Sequence, residues 1–128
     1  MGDILFRPTT QEPSFTIEFF YSPANFSHQD EMASAGYYSV LLKDEGIKAE
    51  LTATPHVGMH RYTYLTGNLA AVIVDMAHSL DNEYIYEAEL EKTADNEITG
   101  MRRTRGWTDN QNIYFVARFS KYLQTVKF

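Results

Sequence analysis

The 128-residue chain sets 11 Lys and Arg against 17 Asp and Glu, a formal charge of −6 with a pI near 5.1. An acidic surface whose longest basic run is Arg102-Arg103 suits a phosphate backbone poorly, so no nucleic-acid partner is expected. With no cysteine, disulfides, thiolate metal sites and Cys nucleophiles are excluded, and the longest apolar run, residues 69–74, is too short to span a bilayer.

At this length one domain over residues 1–128 is expected, large enough to bury a core. Nine Tyr, eight Phe and one Trp tilt the class towards β structure, where aromatics pack well. Met1-Gly2-Asp3 opens acidic, and no apolar signal-peptide core follows. A chain starting downstream of a cleaved signal would look the same, so the residues leave localisation open.

After an irregular lead-in around Pro8 and Pro13, residues 15–21 (FTIEFFY) predict a first strand. Residues 22–25 read as a turn, and residues 28–35 as a loop, with one helical turn at Asp30-Glu31 as the alternative. Residues 36–42 predict a strand. Lys43-Asp44-Glu45-Gly46 is a turn signal, since Gly46 reaches positive φ at no Cβ cost.

Residues 47–54 alternate apolar and polar through four periods, which puts Ile47, Ala49, Leu51 and Ala53 on one face of a strand. Pro55 cannot donate to a ladder, so the chain should bend there and restart over residues 57–65. After a turn at 66–68, residues 69–76 are apolar on both faces and read as a central strand. Residues 83–91 predict a strand with Tyr84, Tyr86, Ala88 and Leu90 inward and Glu87, Glu89 and Glu91 in solvent. A turn at Asp95-Asn96 leads to a strand over 97–107. Residues 108–111 form a hairpin loop. The next strand, 112–120, turns Ile113, Phe115, Ala117 and Phe119 inward, and 123–128 add a short last strand. About eight short strands without a helical pattern predict an all-β, antiparallel sandwich.

Chemical signatures are sparse. His56 and His60 are four apart, but on a strand that spacing spans roughly 13 Å, too far for one metal ion. A structural role is the better reading for His60 and Tyr62. Glu87, Glu89 and Glu91 stand about 6.6 Å apart on one strand face, a separation that suits glycosidase carboxylates. A solvated acidic face is the commoner explanation, and no metal ligand or catalytic residue is assigned. Arg103, Arg105 and Trp107 project to one side of their strand and form the candidate substrate-binding group. Trp107 would stack on a sugar face while the guanidinium forks bond hydroxyls. In the competing reading Trp107 is core and the arginines pair with Glu87 and Glu89.

Two segments carry a resemblance. The first is Phe26-Ser27-His28 with Glu31, Ala33, Gly36-Tyr37-Tyr38-Ser39-Val40, Ile47, Glu50 to Thr54, Val57-Gly58 and His60 to Tyr64. The second is residues 100–107 followed by Ile113 to Ala117 and Phe119-Ser120-Lys121. Together they resemble the N-terminal domain of glycoside hydrolase family 92, the calcium-dependent exo-α-mannosidases that include α-1,2-mannosidases of Bacteroides-type bacteria. Ala35, His56 and Leu65 depart from that family's usual Pro, basic residue and Pro.

The resemblance implies a β-sandwich that packs on a C-terminal (α/α)₆ barrel. In that family the barrel supplies the carboxylic acid, the carboxylate base and most calcium ligands of an inverting hydrolysis. No catalytic residue carries over to this chain, which reads as a fragment of a larger N-terminal domain and as inactive alone. The expected function is therefore structural: to support the catalytic barrel and substrate cleft in a parent α-mannosidase. A free-standing carbohydrate-binding module is the alternative. The implied partners are the helical catalytic domain, mannose-containing glycans and a second copy of the chain, with a secreted or periplasmic location.

Overall fold

A computed structural model describes the chain except for residues 1–3, 13–15, 17–22, 68, 81–82, 107 and 127–128. Nine strands occur among the described residues: β1 Leu5–Thr9, β2 Glu31–Ser34, β3 Tyr37–Leu42, β4 Ile47–Ala53 and β5 Gly58–Tyr64, then β6 Ala71–Asp75, β7 Tyr84–Ala94, β8 Glu97–Arg105 and β9 Gln111–Arg118. They form three sheets, ordered β1-β6, β2-β3-β4-β5 and β7-β8-β9. The all-β, antiparallel class expected from the sequence is the class observed. The strands divide between two compact units, Phe6–Val74 and a second made of the first five residues with Asp75–Phe128.

In the first unit the four-stranded sheet is built from hairpins whose turns the residues dictate. Gly46 takes φ +61° in the β3–β4 turn, and a Cβ there would collide with the Thr66 side chain. Gly36 does the same service between β2 and β3, at φ +76°. At the β4–β5 turn, which contains Pro55, the Thr54 N–H donates to the Val57 carbonyl at 2.8 Å.

Register aligns Leu42, Ile47 and Tyr64 in one row and Val40, Ala49 and Tyr62 in the next. Ile47, Ala49 and Val40 on this face are buried, as the alternation of β4 requires. The β1-β6 layer closes over the same face. Tyr62 and Tyr64 donate to the carbonyls of Phe6 and Ala71 at 3.4 and 2.6 Å, and the Phe6 ring meets His60 edge-on. This unit is a small two-layer sandwich.

Three expectations need correction here. Residues 28–35 are not a loop: a single 3₁₀ turn at His28–Asp30, capped by the Ser27 side chain, runs straight into β2. β6, expected to be covered on both faces, is half-buried throughout, and among the described residues it pairs with β1. Residues 123–126 form no strand. The expected first strand at 15–21 falls almost wholly outside the described residues.

In the second unit β7, β8 and β9 form a meander. β9 alternates as predicted, with Ile113, Phe115 and Ala117 on the more buried side and Tyr114, Val116 and Arg118 outward. Gly100 lies opposite Phe115, whose ring fills the space a Cβ would need. β7 departs from its prediction. Its register slips between Ile85 and Glu87, so Tyr86 sits in a bulge, and both Tyr84 and Tyr86 are exposed instead of inward. A bulge adds one residue to one strand and breaks the period of two.

Candidate functional site

The candidate sugar-binding group lies on β8. Arg103 and Arg105 occupy alternate positions there and are both exposed, as the strand period demands. Across the ladder Tyr84 faces Arg105, and Glu87 faces Arg103. Both guanidinium groups approach the Tyr86 ring, at 6.0 Å from Arg103 and 5.9 Å from Arg105. Tyr84 meets the same ring edge-on at 5.0 Å. Arg103 also donates from Nε to Asn110 Oδ1 at 3.2 Å. Neither arginine forms an ion pair with Glu87 or Glu89, so their partner is the aromatic ring of the bulge, within cation–π range. Trp107 lies outside the described residues. The structure thus brings Arg103 and Arg105 together around Tyr86, a residue that sequence reasoning had assigned to the core.

Arg102, immediately before Arg103 in sequence, points the other way and is fully buried. It donates to the His78 carbonyl and approaches Glu83 Oε2 at 3.5 Å, with both side chains almost entirely out of water. A buried guanidinium that reaches a carboxylate and a carbonyl ties β8 to the segment before β7. The role is architectural.

Glu87, Glu89 and Glu91 are all exposed on β7. Their side chains form no hydrogen bond or ion pair among the described residues, and no enclosure surrounds them. Inverting glycoside hydrolysis needs two carboxyl groups about 6.5–9.5 Å apart around a pocketed sugar. An open sheet face supplies the spacing without the pocket.

The most perturbed carboxyl lies elsewhere. Glu50 accepts from Arg61 Nε and a second Arg61 nitrogen at 2.8 and 2.9 Å, from Tyr37 at 2.7 Å and from Lys48 at 3.3 Å. The Arg61 bonds first, then Tyr37, hold its pKa at about 2. Such a carboxylate is locked as an ion and unfit as a general acid near neutral pH. Glu31 is lowered in the same manner, first by His28 and then by Tyr38, whose groups lie at 2.6 and 2.7 Å.

Buried Glu45 accepts from the Thr9 hydroxyl and from both the N–H and the hydroxyl of Thr10. It staples β1 to the β3–β4 turn. His60 bonds Tyr62 at 2.7 Å, and burial lowers its pKa while raising those of Tyr62 and Tyr64 to about 12. His60 and Tyr62 thus hold the two layers together, the structural role expected of them. No cluster of three or more His, Asp or Glu among the described residues could hold a metal ion.

Fold and site together define an antiparallel β module whose perturbed groups serve as staples, with one exposed Arg–Tyr cluster. Comparison with known proteins gives the family. A model of the glycosyl hydrolase family 92 N-terminal domain matches residues 1–128. The chain belongs to that family. Among solved structures it is similar to a family 92 α-mannosidase from Bacteroides thetaiotaomicron, with 36% identity and a TM-score of 0.87. The match covers 97% of this chain and 17% of that one, and it is the same for that enzyme's complex with mannoimidazole. No curated protein matches the chain.

Proposed function

We propose that the chain works as a non-catalytic β domain of an α-mannosidase-type glycosidase, buttressing a helical catalytic barrel and shaping one wall of its substrate cleft. Coverage carries this reading: nearly the whole chain corresponds to 17% of a larger α-mannosidase. The remainder of such an enzyme must then supply the acid, the base and the calcium ligands. The partners in this reading are that catalytic domain and mannose-containing glycans. A second copy of the chain is a further partner when the chain stands alone, because exposed Met32, Val57 and Met59 are surface that self-association would cover. Light scattering across a concentration series should then give a mass above that of the monomer. A constant monomeric mass removes that partner.

A domain exchange tests the reading. These 128 residues would replace the matching segment of the Bacteroides α-mannosidase, and the chimera's turnover of α-1,2-mannobiose would be measured. A folded chimera that keeps activity within about tenfold supports the structural role. A folded, inactive chimera contradicts it.

A further inference from the structure

We propose that the outer face of the β7-β8-β9 sheet binds a neutral oligosaccharide, with Tyr84 and Tyr86 at one end of the site and Tyr114 further along. The choice of mannose as the sugar rests on the family reading, but the surface stands on its own geometry. Counting in twos from Arg105 places Arg103 and Met101 on the same face of β8. Register adds Tyr84, Glu87 and Glu89 from β7 and Asn112 and Tyr114 from β9. The opposite face holds buried Ile98, Arg102 and Thr104.

Three tyrosines on this one face stay open to water: Tyr84 at 62%, Tyr86 at 48% and Tyr114 at 74%. Aromatic area is usually mostly buried, so a run of it on one sheet face marks a binding surface. Tyr86 is fixed in advance by Tyr84 on its edge and the two guanidinium groups nearby. A fixed ring loses little freedom when a ligand stacks against it. The Arg105 fork makes no hydrogen bond among the described residues and is available to a pair of hydroxyls.

Charge selects the ligand class. Arg103 and Arg105 stand at one end, and Glu87, Glu89 and Glu91 run on from there along β7. A polyanion would gain at the arginines and lose along the glutamates, and a polycation the reverse. A neutral chain with apolar ring faces and hydroxyl edges can use the tyrosines and both signs of charge. Length selects the size. From Arg105 to Met101 is about 13 Å, and beyond it a shallow groove continues between Glu89, Glu91, Thr99, Tyr114 and Val116. That is room for several rings in a row.

The test is an amide-detected NMR titration of the chain with α-1,2-mannotriose, repeated on Tyr84→Ala and Arg105→Ala. Both sites are exposed, and each variant's amide dispersion confirms that it is folded. The expected result is saturable shifts confined to β7, β8 and β9, weakened about tenfold by either substitution, the loss of one good aromatic or guanidinium contact. The proposal is overturned by an absence of shifts, by equal affinity in all three proteins, or by shifts mapping to β2–β5. Tighter binding of dextran sulfate at the same residues also overturns it. New reducing-end signals in the same tubes would instead count against the non-catalytic reading, so the two ideas fail separately.

Discussion

At Glu50 on β4, one carboxylate takes hydrogen bonds from Arg61, Tyr37 and Lys48 on a nearly buried site. Its pKa of about 2 lies below the ordinary 4.5, so the unfolded chain takes up that proton first as pH falls. The stabilisation is therefore whole above about pH 4.5 and drains away as pH drops towards 2. Melting temperature should fall through that window, and Glu50→Gln should make the fall shallower without abolishing it, since Glu31 and Glu97 are lowered too. An identical pH profile for the variant would contradict this account of Glu50. Arg102 gives a second residue-scale prediction. Arg102→Met leaves the buried Glu83 carboxyl without its ion-pair partner and should cost about 3 kcal/mol or more in urea unfolding. Adding Glu83→Gln should recover part of the loss. A loss under about 1 kcal/mol in the single variant would mean the pair does not matter.

Elements were legible where one face is buried. β4 and β9 print their alternation because Ile47, Ala49, Ile113 and Phe115 face inward. β2 was missed because it is an edge strand, mostly exposed, with small residues and no buried face to reveal a period. β7 was placed correctly but its faces were not. A bulge leaves no mark in a sequence when the extra residue is an ordinary Tyr, and the slip at Tyr86 turned two expected core tyrosines outward. The same slip explains why the candidate site was only half read: Arg103 and Arg105 were found from strand period, while Tyr84 and Tyr86 needed the register.

The turn before β4 can be tested directly. Gly46→Ala forces an L side chain to φ +61° against Thr66. It should cost at least about 1–2 kcal/mol, and Ile47→Ala, at a fully buried position, about 3 kcal/mol. Chemical denaturation reads both, and a neutral Gly46→Ala would refute the strain argument.

At the scale of the whole chain, the two units share one habit: polar groups are spent on joining strands. Glu45, Glu50, Arg102, Tyr62 and Tyr64 all bond to neighbouring elements, and the carboxylates of β7 stand on an open sheet face with no more than a shallow groove beside them. That habit, with family 92 membership and the small share of the larger enzyme matched, is the ground for the supporting role we propose. The most direct measurement is an NMR time course of the chain alone with α-1,2-mannobiose and calcium. The account predicts an unchanged set of anomeric signals over days. New reducing-end mannose signals, growing in proportion to the concentration of the chain, would contradict it.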